Sequence, residues 1–478
     1  MKLRRPLLPL AVLALAAALA GRAADAAPLK SDAEIKTLMG AGRWDEAIAA
    51  ARERVAAAPQ EAESHVLLGT SLFLKARSTP PPASGPAITA AEADAIAKEL
   101  EAAIAIAPDR KDVYLGLIDV ETAAGRDDRT LEQVKRCAAQ FPSDPKAAAS
   151  LIEYGLERQS RQDPLAGPIL QAVYQAYTKV PPVVIAYAHY VMSTGELDQA
   201  TEMLRIATTQ VPNNVDLLEA LGDALGYKLD FGGAAKVYGS ASALDTTRRG
   251  VRLKWAAALH TTDPKSAMVL VEPLRTEAKP AAGAPTVQLK EGGLQGPSRI
   301  TRCASMLWKV LSQSAPSGLE IHNMAKTFMQ SGFGPQALAE TQVALARNHN
   351  MVEVWLLRAE VYTRAGLDNQ ALEALDKADE VFDALDPAAR PAYSHDEVLA
   401  ARAASQSRLG HNADALASYA RMSDSGRYTY QMAIVNEKLG HIEEARALLQ
   451  KVAVTGLVPA EVEAAKARLE TETYRKKP

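Results

Sequence analysis

GLEIHNMAKTFMQSGFGPQALAETQVALARNHNM (residues 318–351) and VEVWLLRAEVYTRAGLDNQALEALDKADEVFDAL (residues 352–385) are one pattern written twice. Overlaid, they place Ala325 on Ala359, Gly332 on Gly366, Ala337 on Ala371 and Ala344 on Ala378, each pair 34 residues apart. Small residues suit places where two helices cross closely. The central glycine suits the end of a helix, where a left-handed residue costs least. Each copy therefore reads as a helical hairpin. One hairpin cannot bury its apolar face alone, so the copies have to stack.

The second copy also carries Trp355, Tyr362 and Leu375, and so reads W-x2-R-A-x2-Y…G…A-x3-L-x2-A. Apart from Arg358 and Ala359 in place of Leu-Gly, it resembles the tetratricopeptide repeat, a 34-residue helix–turn–helix unit. The resemblance implies an all-α solenoid, a right-handed superhelix of hairpins, with a concave groove that receives a protein or peptide partner. It implies a binding scaffold and leaves the ligand open.

The rest of the chain agrees with an array. Its 478 residues are too many for a single compact core. Hydrophobic residues make up 48% and aromatics only 5%, a core of Ala and Leu that suits helix packing and not a sheet. The formal net charge of −3 offers no basic field for nucleic acid.

The N-terminus has the pattern of a cleaved export signal over residues 1–26. Lys2, Arg4 and Arg5 precede the apolar run Leu7–Ala20, and Ala24-Asp25-Ala26 supplies an A-x-A cleavage site. The run falls short of the ~20 residues that a spanning helix needs, so no membrane span remains after cleavage. The expected location is the periplasm or another exported compartment, with at most a peripheral association with the envelope. Cys137 and Cys303 stand far apart, each inside an apolar helical pattern, and read as buried packing thiols, with a disulfide between them left open.

Taken in order, the repeat register runs through an N-terminal block at 28–274, whose second hairpin is swollen by a Pro-rich insertion at 77–91. A Pro/Gly-rich stretch at 275–299 reads as a linker. A C-terminal block at 300–458 follows, and then a polar capping helix and tail at 459–478. The total is about ten or eleven hairpins.

No motif for zinc, phosphate, dinucleotide or a nucleophile elbow is present, and no cofactor or metal is called for. Ser143-Asp144-Pro145-Lys146 matches S-x-x-K but sits in a turn, where Ser and Asp are ordinary helix caps. The candidate functional residues are the groove positions that the family resemblance implies. They are Asp112, Asp119, His189, Asp216, Glu219, Asp223 and Tyr227 in the first block, and His322, Lys326, Met329, Glu353, Glu360, Arg364, Arg408, Tyr430 and Lys438 in the second. Asp216, Glu219 and Asp223 follow at three and four residues and share a helix face. Glu373 falls on the presumed outer face.

Three functions fit these features. The first is an exported scaffold for a cell-envelope machine, such as a pilus or tight-adherence apparatus or an exopolysaccharide exporter. The second is a periplasmic adaptor or holding factor for one client. The third is an enzyme decorated with repeats, which no catalytic constellation supports. The expectation is therefore a non-enzyme.

Overall fold

The computed structural model describes residues 29–78, 85–161, 163–276, 298–386, 395–423, 425–471 and 473–474. The export pattern at 1–26 and most of the stretch at 275–299 lie outside the described residues. Among the described residues every regular element is a helix, and no helix is long and apolar enough to cross a membrane.

The chain forms two compact units, Met1–Tyr177 and Thr178–Pro478. The sequence placed its break at 275–299, whereas the contacts divide the chain after Tyr177. The Pro264–Val271 and Arg299–Leu311 helices, on either side of 275–299, pack together within the second unit.

The first unit stacks four hairpins, beginning with Asp32–Gly40 and Trp44–Ala57 and ending with Pro145–Ser160 and Ala166–Ala176. Local chemistry fixes where these helices start. Ser31 and Glu34 form a capping box, as do Thr89 and Glu92. Asp144 Oδ1 accepts from the Lys146 and Ala147 amides, at 2.7 and 3.1 Å, and Pro145 takes the first helical position. The S-x-x-K match is therefore a helix cap. Cys137 and Cys303 are both free and fully buried, so the thiols pack and do not pair. Burial pushes the Cys137 thiol up to about 11, which leaves it protonated and inert at neutral pH.

The second unit begins with the Pro181–Ser193 and Leu197–Gln210 hairpin and runs to the Pro459–Leu469 helix. The overlay of 318–351 on 352–385 holds in three dimensions. Ala325, Ala337, Ala344, Ala371 and Ala378 are all 0% exposed and Ala359 is 2% exposed. Methyl-sized contacts at these crossings leave no room for a larger group. Ala371→Leu should therefore cost ~1–3 kcal/mol by overpacking. Lys377→Leu, on the exposed side of the same helix, should stay within ~0.5 kcal/mol. Chemical denaturation followed by helix signal would compare the two, and equal losses would mean that the crossing is misassigned.

Candidate functional site

The groove positions of the second unit do not face open solvent as a row. Ion pairs use up the acidic stripe. Asp216 pairs with Arg248 at 2.5 Å, and Lys254 Nζ lies 2.8 Å from Glu219 and 2.6 Å from Asp223. Burial alone would push the Lys254 ammonium down, but Asp223 and Glu219 outweigh it and hold it above its ordinary value. Tyr238, fully buried, donates its hydroxyl to Asp223 Oδ1 at 2.6 Å. Burial, and after it the Asp223 charge, raises the phenol well above its usual range, so it stays a donor.

A later part of the same unit then fills the groove. The Gly334–Arg347 helix packs on the Val215–Tyr227 and Arg249–His260 helices. Small residues permit the approach. A side chain at Gly226 would meet Pro335, and one at Gly334 would meet the Tyr227 hydroxyl, each at 2.7 Å. Gln336 Nε2 donates to the Tyr238 hydroxyl at 3.0 Å, and Tyr362 donates to the Tyr227 carbonyl at 3.3 Å. Deepest of all, His260 Nδ1 meets Glu340 Oε2 at 2.7 Å, with the two side chains 5% and 0% exposed. Burial pushes the His260 imidazole down, yet the charge and hydrogen bond of Glu340 prevail and leave it above its ordinary value. Further along, the turn at Gly366 rests on the backbone of Ser193.

His189, Asp223 and Tyr227 are brought together. With Lys254 and Gln336 they form the polar wall of a cleft of about 290 Å3. Asp216 and Glu219 belong to the ion-pair network beside it. The remaining second-block positions do not join this cleft. Met329 is buried in the core. Glu360 and Arg364 pair with each other on the exposed face of one helix, at 2.8 Å. His322 is half-buried, and burial, opposed by Glu353 and assisted by Lys326, holds its imidazole below the ordinary value. Lys326 is exposed. Glu373 is exposed and lines a second, open cleft with Tyr227 and Tyr362.

Sequence reasoning missed Lys254, Tyr238, Gln336 and the His260–Glu340 pair. The available signal was the composition of Gly334–Arg347, in which Pro335, Gln336, Ala337, Leu338, Ala339, Glu340 and Thr341 are consecutive and all buried. Small residues on every face of a helix point to contacts on every side.

Asp119 stands in the first unit. It reaches solvent, yet surrounding protein raises its carboxyl pKa. Burial is the main cause, Arg77 opposes it and Glu157 adds to it. Close by, Tyr154 accepts a hydrogen bond from Arg158 at 2.8 Å and shares another with Thr122.

No family model and no curated protein matches the chain. Among solved structures it is similar to the TPR domain of P58(IPK), at 14% identity over 79% of this chain and 96% of that one, with a TM-score of 0.23. It is also similar to a tetratricopeptide repeat protein from Parabacteroides merdae, at 11% identity over 62% and 98%, with a TM-score of 0.30. Yeast Tom70 gives 12% identity over 91% and 93%, also at 0.30. Likeness at this level concerns fold alone. The chain's own repeat is more specific, with 34-residue hairpins, buried alanines at the crossings, and Gly332 and Gly366 turning left-handed at φ of 82° and 76°. By that repeat the fold is an all-α solenoid of tetratricopeptide-like hairpins.

Proposed function

We propose that this protein is an exported scaffold that holds protein partners during assembly of a cell-envelope machine, a pilus or tight-adherence apparatus or an exopolysaccharide exporter. The observation that carries the binding half is the contrast between two grooves. The groove of 215–260 is filled by the chain's own Gly334–Arg347 helix, while Asp119, a groove position of the first unit by the repeat register, is exposed. A partner segment therefore docks on the first unit, against a surface where Arg77, Asp119 and Glu157 present both signs of charge. The Lys2–Ala26 pattern supports the exported half.

Two measurements test the reading together. Mass spectrometry of the N-terminus from fractionated cells should find a mature chain beginning at Ala27, and intact Met1 in the cytosol would overturn export. Crosslinking in intact envelopes should recover secretion or pilus components. Asp119→Lys should reduce that recovery at least about tenfold, because it reverses the charge presented at that position. It should leave folding nearly unchanged, since exposed charges contribute little to stability. Undiminished recovery would place the docking surface elsewhere.

A further inference from the structure

The cleft at His189, Asp223 and Gln336 is a built polar site with one hydrogen-bonding group left over. Gln336 is 2% exposed. The Tyr238 proton is committed to Asp223, so Gln336 must offer its N–H to that hydroxyl, and this fixes the orientation of the amide. Gln336 Oε1 is then buried with no hydrogen-bond partner. Such an orphan acceptor costs ~1–3 kcal/mol, a deficit that a donor from outside would relieve.

Charge narrows what that donor can be. Asp216, Glu219 and Asp223 share two cations, Arg248 and Lys254, and the five groups carry one net negative charge. Burial holds the His189 imidazole below its ordinary value, helped by Lys254 and opposed by Asp223, so at neutral pH it adds an acceptor and no positive charge. Facing these groups, Met192, Pro335 and Leu367 supply an apolar wall. The volume of about 290 Å3 sits at the small end of the range for ligand pockets.

We propose that this cleft binds a compact organic amine. Its ammonium group donates to Gln336 Oε1 and points toward Asp223, and its short aryl or alkyl tail lies on Met192, Pro335 and Leu367. The site is independent of the partner surface on the first unit. Its walls come from three early helices, the turn at Gly332, the start of the Gly334–Arg347 helix and the turn at 365–367, so an occupant ties the early hairpins to the later ones. By mass action it stabilises that closed arrangement.

The test uses the full mature chain and three probes of one shape: benzylammonium, benzyl alcohol and benzoate. Calorimetric titration should show saturable binding of benzylammonium, with the alcohol and the carboxylate at least about tenfold weaker. Gln336→Leu removes the acceptor and should weaken benzylammonium binding by about tenfold. Ala365→Met narrows the cleft without touching its polar wall and should weaken all binding there, which keeps the test valid if Gln336→Leu folds poorly. Equal binding of the three probes, binding unchanged by Ala365→Met, or no binding up to millimolar concentration would each overturn the proposal.

Discussion

Replacing His260 with leucine should destabilise the second unit by about 3–5 kcal/mol, and adding Glu340→Met should return most of that loss. The single substitution strands a carboxylate that is 0% exposed and whose Oε1 already has no hydrogen-bond partner. The double substitution removes both charges and leaves an apolar contact of similar volume. Hydrogen exchange across Gly334–Arg347 would read the effect locally, with protection lost in the single variant and regained in the double. If the single variant is as protected as the wild type, the pair does not hold the helix in the groove. The pair also sets a pH dependence. The imidazole pKa is raised on folding, so its contribution is complete below the unfolded value near 6.5 and is lost as pH rises through the folded value. The Gly334–Arg347 helix should therefore be most protected at mildly acidic pH and loosen on the alkaline side of neutral.

Gly366→Ala should cost substantially more than Gly410→Ala, although the two backbones are nearly the same, at φ of 76° and 83°. Strain at a left-handed residue accounts for ~1–2 kcal/mol in both. A Cβ at Gly410 would meet nothing within 4 Å, whereas one at Gly366 would lie 2.9 Å from the Ser193 Cα. Backbone cannot step aside as a side-chain tip can, so the docked turn adds a further ~1–3 kcal/mol. Thermal unfolding of the two variants side by side isolates that second contribution. Equal losses would mean that the 352–385 hairpin does not rest on the 181–193 helix.

The hairpin and its register were legible because they follow from short-range rules. Gly332 and Gly366 mark turns, and alanines at a fixed spacing mark crossings. The same rules hid Leu229, which takes the left-handed slot at φ 61° where the preceding hairpin uses Gly195. His189, Asp223 and Tyr227 were named from the register, and they do share a cleft. Lys254 and Gln336 were not, because their roles depend on which distant helix covers the groove. Glu340 and Gln336 look like solvated polar positions when read along their own helix. Only the approach of the 215–227 and 249–260 helices buries them, and nothing about Gln336 and Glu340 themselves marks it, only the small residues around them. Asp216 and Glu219 were placed on one helix face, but the pairing with Arg248 and Lys254, which reach them from the next hairpin, lies outside that local pattern.

A linear solenoid is held by neighbours alone, so its repeats can be added or lost one at a time. The second unit departs from that. Its hydrogen bonds join residues 80, 98 and 135 positions apart. Ordering such separations costs loop entropy before any contact rewards it, so this closure forms late. A chain emerging N-terminus first holds Asp223, Tyr238 and His260 without their covering helix until the 334–347 segment has followed. The 215–260 hairpins and the 334–347 helix then close on each other together. Ending the chain before residue 334 would leave an exposed polar seam, where an ordinary array would simply be shorter.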